Sequence, residues 1–496
     1  MDNSRLAQME PPPYPIRAVQ FGEGNFLRAF ADVMIDAANE KGVFKGCIAI
    51  VKPREGSVDA FRGQNCNYTV ILRGAEDGRV QEERRVVTSV KSVYSSDEDY
   101  REVMKLAWLG DLQVIISNTT EAGIVFDRTE LSTACPPRTF PGKLTKFLYE
   151  RYRRFRGSHR KGLLLLPTEL VENNGMELYR CVQSYAKLWG LEERFLQWLD
   201  TSCLFCDTLA DRVVAGFPAK EKDRLEAELG YEDPFMTVGE AYGLWVIRCD
   251  APQKAASIFP LHLAGMPLEF TADYSDYRER KVRIANGFHS AAAPAAFLAG
   301  LDTVGECLRD QDVSALLRRL LFEEIIPLLP GNQEALLDYA EGVLARFSNP
   351  AIRHSLVSIS LNSIAKWKTR LLPSLKDYCS RNGKPPEALC FCFAALLAFY
   401  RGGTLEKGSL LGNFSREHRV QDECVVLQKF LEASGLPAEQ YVEKIVGDPS
   451  LWGCSLADYL GFLTAVSRYC RAMLTFGVRG AIQRFNDDSM AGISAK

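Results

Sequence analysis

The chain reads as α/β plus all-α: strand and helix signals alternate over residues 1–275, and a mostly helical half follows over 276–496. Three observations predict this. Short apolar runs of buried-strand character recur at 16–21, 47–51, 112–117 and 163–166, each ended by glycine, proline or a polar cluster. The texture then changes near residue 275, after a turn-rich segment at 260–277. From Lys281 onward apolar residues recur at helical spacing over 313–326, 334–347, 388–400, 425–434 and 456–476. Finally, 496 residues suffice for two large domains, and a hydrophobic content of 47% supports a well-filled core in each.

Taken in order, the first element is a strand, Ile16-Arg17-Ala18-Val19-Gln20-Phe21, broken by Gly22-Glu23-Gly24-Asn25-Phe26. A helix over 26–38 and a second strand at 47–51 follow, so the chain opens with a βαβ unit. A glycine turn between strand and helix lets the backbone approach a pyrophosphate, and the helix N-terminus offers it free N–H groups. The first half is therefore expected to be a Rossmann-like dinucleotide-binding domain with insertions. Its candidate cofactor residues are Val19, Gln20, Phe21, Gly22, Glu23, Gly24, Asn25, Phe26, Leu27 and Arg28. Only two of the three fingerprint glycines are present, so the residues alone fit an ordinary strand–helix turn equally well.

At the end of the second strand, where an acid usually holds the adenosine ribose, stand Lys52-Pro53-Arg54. These cations suit a 2′-phosphate or are simply solvated. The runs 68–73 and 84–93 read as an antiparallel pair with Asp77-Gly78 in the turn. The strand at 112–117 ends in Asn118-Thr119-Thr120-Glu121-Ala122-Gly123, a polar cluster at a strand's carboxyl end, where open α/β sheets bind ligands. A helix cap is its other reading. Asp211 and Arg212 form either a surface ion pair or an edge of the substrate site.

The chemistry concentrates between Glu279 and His289. On an α-helix Asn286 lies about 140° and His289 about 80° round from Lys281, so the three side chains share one face spanning roughly 12 Å. An amine, an amide and an imidazole then converge on one small polar molecule. A free lysine titrates near about 10.4, and lowering it by about 3 units requires roughly 4 kcal/mol from burial or from neighbouring cations such as Arg280 and Arg283. Further on, Ser358, Asn362 and Lys366 are four apart and fall on one side of a helix, as an exposed stripe or as the lining of a substrate site.

Composition narrows the class. A formal charge of −3 gives no reason to expect nucleic acid or an anionic membrane as partner. Residues 1–17 are polar and proline-rich, without the apolar core of a signal peptide, and no apolar run is long enough to span a bilayer. A cytoplasmic protein is expected. The fourteen cysteines then read as reduced, core-filling thiols, and neither close pair, Cys203/Cys206 nor Cys390/Cys392, has partners at zinc-site spacing. No metal is expected.

These motifs together resemble the mannitol dehydrogenase family of polyol-specific long-chain dehydrogenases. Residues Phe21 to Phe30 are similar to its Gly-x-Gly-x-Phe-x-Arg signature, and Lys281-x4-Asn286-x2-His289, followed by Ser290-Ala291-Ala292-Ala293, to its active-site helix. Asn118 to Gly123, Asp207 to Val213 and Arg346 to His354 resemble further family segments, so the likeness runs over nearly the whole chain.

The resemblance implies metal-independent hydride transfer with NAD, although Lys52-Pro53-Arg54 leaves NADP open. It implies Lys281 as general acid/base, Asn286 polarising the reacting oxygen, and His289 holding a neighbouring hydroxyl or the lysine, on a helix lining an interdomain cleft. It places Asn118, Thr120 and Glu121 beside the cofactor, and Asp211, Ser358, Asn362 and Lys366 beside the substrate. Where many members carry asparagine this chain has Leu170, a departure that favours the hexuronate-acting branch, whose sugar-acid substrate suits Lys366. The alternatives are a fructuronate reductase or polyol (mannitol/arabinitol) dehydrogenase, and, in another class, a non-catalytic nucleotide-binding sensor or interaction protein.

Overall fold

The computed structural model describes residues 4–53, 56–76, 79–119, 123–350 and 352–494. The chain divides into two compact units, Met1–Tyr274 and Ser275–Lys496. Arg54, Asp77 and Gly78, named above, lie outside the described residues.

The first unit is built on six parallel strands: β1 Ile16–Phe21, β2 Cys47–Lys52, β3 Val90–Ser95, β4 Val114–Ser117, β5 Leu164–Pro167 and β6 Leu204–Phe205, in the order β3-β2-β1-β4-β5-β6. This is the strand order of doubly wound dinucleotide-binding sheets. Alternation within the apolar runs explains why both faces are covered. Ala18, Ile48, Ile50, Val114, Ile116, Leu164 and Leu166 enter one core with Phe30, Met34 and Ile35, whereas Val19, Phe21, Ala49, Val51, Ile115 and Leu165 enter another with Leu144, Phe147 and Val182. A parallel sheet buried on both sides carries such near-continuous apolar strands.

The run expected as one strand over 84–93 is two. Arg79–Val87 pairs antiparallel with Tyr68–Glu76, while Val90–Ser95 belongs to the parallel sheet as β3. The physical reason is Asp36, whose Oδ1 accepts from the Thr88 N–H at 2.9 Å and the Ser89 N–H at 3.0 Å. Those donors are thereby removed from the ladder, and the chain changes sheets.

In the second unit two helices are buried almost throughout, Gly287–Leu298 and Glu387–Tyr400. The small side chains of Ala291 to Ala296 let the two lie close. The second helix starts on the buried Glu324, whose carboxylate accepts from the Ala388 and Leu389 N–H groups at 2.8 and 2.9 Å. Burial lifts that carboxyl to about 7. The run expected over 456–476 begins instead as a short turn, Leu456–Asp458, with the helix proper at Phe462–Ser494, interrupted at Gly477. A small sheet, Gly402–Glu406, Ser409–Gly412 and His418–Val420, was not foreseen among the helices. Among the described residues no helix is long and apolar enough to cross a membrane.

Candidate functional site

The strand order reverses between the parallel neighbours β1 and β4, the switch point where doubly wound folds bind ligands. There the Asn118 N–H donates to the Phe21 carbonyl at 3.0 Å, which brings the two strand ends together. Gly22 lies between them with φ +132°, and a Cβ on it would stand 2.8 Å from the Asn118 carbonyl oxygen. No other residue fits both constraints. Gly24 precedes the helix start at Asn25, and a Cβ on it would meet nothing within 4 Å. An open glycine at a helix N-terminus is the cradle a dinucleotide pyrophosphate needs.

Behind this turn the expected cofactor residues divide. Val19, Gln20, Phe21, Leu27 and Arg28 are buried, Glu23, Asn25 and Phe26 half-buried. The Arg28 guanidinium points into the fold, donating to the Phe235 carbonyl and to Asn25 Oδ1. Gln20 Nε2 donates to the Gly22 carbonyl at 3.0 Å and to Asp32 Oδ2 at 3.4 Å, and Tyr68 Oη donates to the same carboxyl oxygen at 2.6 Å. Burial raises the Asp32 carboxyl to about 7 against these hydrogen bonds. These groups therefore shape the turn from within.

At the ends of β4 and β5 the Asn118 amide donates to Thr168 Oγ1 at 2.9 Å. The buried Glu169 carboxylate accepts from Ser117 Oγ and from the Thr119 N–H and Oγ1, each at 3.0 Å. Glu169 was not singled out from the sequence; a carboxylate directly after an apolar strand was the available signal. Thr120 and Glu121 lie outside the described residues. Leu170 is 56% exposed. Asp211 is buried at the end of the strand Asp207–Asp211, and Arg212 donates to the carbonyls of Tyr242 and Ala29 at 2.9 and 2.6 Å.

The segment from Lys281 to His289 departs from the α-helical geometry expected of it. Arg280–Asn286 is π-helical and passes into the α-helix Gly287–Leu298. With i→i+5 bonding, Lys281 and Asn286 fall one above the other on one face, and the 140° between them does not apply. His289 follows Asn286 at the i,i+3 spacing and stays on that face. Lys281 and His289 are buried, Asn286 half-buried. The two arginines offered as a source of repulsion have other engagements. Arg283 pairs with Asp377 at 2.7 Å and donates to Ser374 Oγ at 3.0 Å, and Arg280 stacks between Tyr277 and Tyr339.

His289 has two close ring neighbours. Phe347 stacks on it with ring centroids 4.0 Å apart, and His354 meets it edge-on at 4.6 Å. Burial, then the positive charges of Arg370, Arg346 and Lys366 together with the His354 ring, keep His289 well below the usual histidine range. Burial and Lys366 hold His354 down to about 4. Both rings are neutral at neutral pH. His354 owes its place to its backbone: its carbonyl accepts from the Val304 N–H at 3.0 Å, and the next residue, Ser355, bridges to Thr303.

Helix 287–298 contains Pro294, which has no N–H to give the Ser290 carbonyl. The Trp367 indole N–H supplies that bond at 3.0 Å, and Arg370 Nη1 donates to Ser290 Oγ at 3.1 Å. Helix Ser363–Arg370 is thereby fastened beside His289.

The single helical face expected for Ser358, Asn362 and Lys366 is not formed. Leu356–Ile359 is one short turn, Asn362 is left-handed with φ 54°, and a new helix starts at Ser363. The new helix is set by partners distant in sequence, the Ser363 N–H donating to Tyr400 Oη and the Ile364 N–H to Asp422. Ser358 is exposed, Asn362 and Lys366 are half-buried, and Lys366 Nζ donates to the Ile359 carbonyl at 3.0 Å. His354, Phe347 and Arg370 were not named as site residues from sequence; the first two contact the His289 ring, and Arg370, like Lys366 of the stripe, acts on it by charge.

Comparison with known proteins agrees with this architecture. Residues 16–258 match the mannitol dehydrogenase Rossmann domain and residues 273–474 the mannitol dehydrogenase C-terminal domain. The altronate oxidoreductase of Bacillus subtilis (strain 168) is 40% identical over 474 residues, covering 95% of each chain. That of Pectobacterium carotovorum subsp. carotovorum (strain PC1) is 37% identical over 480 residues, 95% of this chain and 97% of its own. In fold, the chain is similar to Pseudomonas fluorescens mannitol 2-dehydrogenase, solved as a ternary complex with NAD and D-mannitol, at a TM-score of 0.78 and 18% identity over 97% of this chain and 95% of that one. The glycine turn at the sheet's switch point, the Lys281–Asn286–His289 helix and both domain matches thus lead to one statement: the chain belongs to the mannitol dehydrogenase family and is a dehydrogenase acting on CH–OH groups.

Proposed function

We propose that this dehydrogenase interconverts D-altronate and D-tagaturonate with NAD as its hydride carrier. The observation that carries the catalytic reading is a buried lysine, Lys281, one π turn from the Asn286 amide and on the face that carries a neutral imidazole, His289. The curated relatives' names support the substrate, and the family's solved complex with NAD supports the cofactor.

In oxidation the substrate hydroxyl gives its proton to the Lys281 amine while the same carbon loses hydride; in reduction the Lys281 ammonium returns that proton to the carbonyl oxygen. Asn286 donates its amide N–H to the reacting oxygen and so favours the form in which charge builds there. His289, being neutral, accepts from or donates to a neighbouring hydroxyl and orients the carbon skeleton. NAD, when bound, would supply the hydride acceptor and donor. Gly22 and Gly24 admit its pyrophosphate, with Asn118 at the neighbouring strand end.

The test is NADH formation by the purified protein across altronate, mannonate, mannitol and arabinitol, with NADP run in parallel. Altronate with NAD should be the fastest pair; equal rates over the four substrates would return the choice to the family at large. Lys281→Ala should lower kcat by about 10²- to 10⁴-fold while NAD still binds. Unchanged turnover would remove Lys281 from the mechanism.

A further inference from the structure

We propose that His354 and Arg370 are specificity-determining residues that recognise a substrate carboxylate beside His289; this rests on the sugar-acid reading above and names the groups that would carry it. The observation is a pair of imidazoles with nothing to bond. His289 Nε2 and His354 Nδ1 are both buried, and neither finds a hydrogen-bond partner among the described residues. Their rings are 4.6 Å apart and nearly perpendicular, and Phe347 stacks on His289 with centroids 4.0 Å apart. Buried polar nitrogens are seldom left without a partner, and two of them on neighbouring rings are donors or acceptors that a polar ligand can satisfy.

The electrostatics identify what kind. Besides the His354 ring, the charges bearing most on His289 are those of Arg370, Arg346 and Lys366, all positive. Arg370 is placed by design of the fold: its helix is tied to Ser290 by the Trp367 indole, and its own Nη1 rests on Ser290 Oγ, one residue from His289. A guanidinium so braced is a fixed positive charge next to His289, and a carboxylate beside that ring is drawn to it. A neutral imidazole with Nδ1 protonated donates to the same anion. An uncharged polyol would gain little from this corner, whereas a sugar acid engages all of it.

The experiment compares altronate with altritol, the same carbon skeleton bearing CH₂OH in place of the carboxylate. Each is measured with NAD and the full-length enzyme, in wild type, Arg370→Leu, Arg370→Lys, His354→Phe and His354→Asn. Phenylalanine keeps the ring packing against His289 without the nitrogen, and asparagine returns an N–H near the position of Nδ1.

Arg370→Leu and His354→Phe should raise KM for altronate on the order of 10- to 100-fold, with kcat less affected, and kcat/KM for altronate should fall at least about 10-fold more than for altritol. His354→Asn and Arg370→Lys should recover part of the loss. Equal losses on both substrates, with melting temperature preserved, would overturn the proposal. If a variant loses melting temperature, equilibrium binding of altronate and altritol below that temperature gives the same ratio, and an unchanged ratio likewise overturns it. A wild-type enzyme that turns over no sugar acid would fail the underlying function instead, a result read before any variant is made.

Discussion

Two histidines show how one residue's surroundings set both chemistry and stability. His354 is held down to about 4 by burial and Lys366, and His289 lies well below the ordinary value of 6.5 through burial and its cationic neighbours. The unfolded chain therefore binds protons at these rings that the folded chain refuses. Their contribution to stability is complete above about pH 6.5 and is lost as pH falls toward 4. For His354 alone the shift corresponds to at most about 3 kcal/mol. His354→Phe should accordingly flatten the acid limb of thermal unfolding between pH 6.5 and 4. A limb as steep as that of wild type would show that the ring is protonated in the folded state.

Glu324 acts with the opposite sign: lifted to about 7, it keeps its proton folded and releases it unfolded, so its contribution fades as pH rises from 4.5 to 7. Residue by residue, the proposed trio Lys281, Asn286 and His289 stood out because its types and spacing are unusual. His354 and Arg370 did not, since what brings them to His289 is a bridge from Thr303 to Ser355 and a bond from Trp367 to Ser290, neither of which has a local signal.

Elements were legible wherever one periodicity held and failed wherever a distant group took the backbone's donors. The parallel strands alternate cleanly between two cores and could be read directly. Asp36 cut the run at 84–93, and Tyr400 and Asp422 started a helix where continuity through Asn362 was expected. The π turns at Arg28–Asp32 and Arg280–Asn286 have no signature in a hydrophobic pattern, because a fifth-residue bond differs from a fourth-residue one only in what the surroundings accommodate.

The bond from Trp367 to Ser290 gives a prediction at this scale. Trp367→Phe leaves the Ser290 carbonyl without its donor and should cost about 1–3 kcal/mol. In a Pro294→Ala background, where residue 294 regains an N–H for that carbonyl, the same change should cost less. Additive costs in chemical denaturation of the four proteins would mean that the indole is not answering the proline.

For the molecule as a whole, the proposed function assigns the two units separable duties: dinucleotide contacts to Met1–Tyr274 and proton transfer to Ser275–Lys496. NAD at 100 times its Kd should stabilise the enzyme by about 2.7 kcal/mol, and Lys281→Ala should keep that gain. Gly22→Ala should lose it, because the new methyl group would meet the Asn118 carbonyl in a backbone conformation that alanine rarely adopts. Melting curves with and without NAD decide the matter, and a gain surviving Gly22→Ala would move the pyrophosphate away from this turn. The division was visible in the change of texture near residue 275, since one half alternates strands with helices and the other does not.

Trp367 also brings something to this enzyme unrelated to strength. Indole emission changes colour with what its N–H meets, and here it meets a carbonyl one position along the backbone from an imidazole of the candidate site. A ligand that drew Ser290 aside would alter the light from that ring, and the part of any change that Trp367→Phe removes separates it from the other tryptophans.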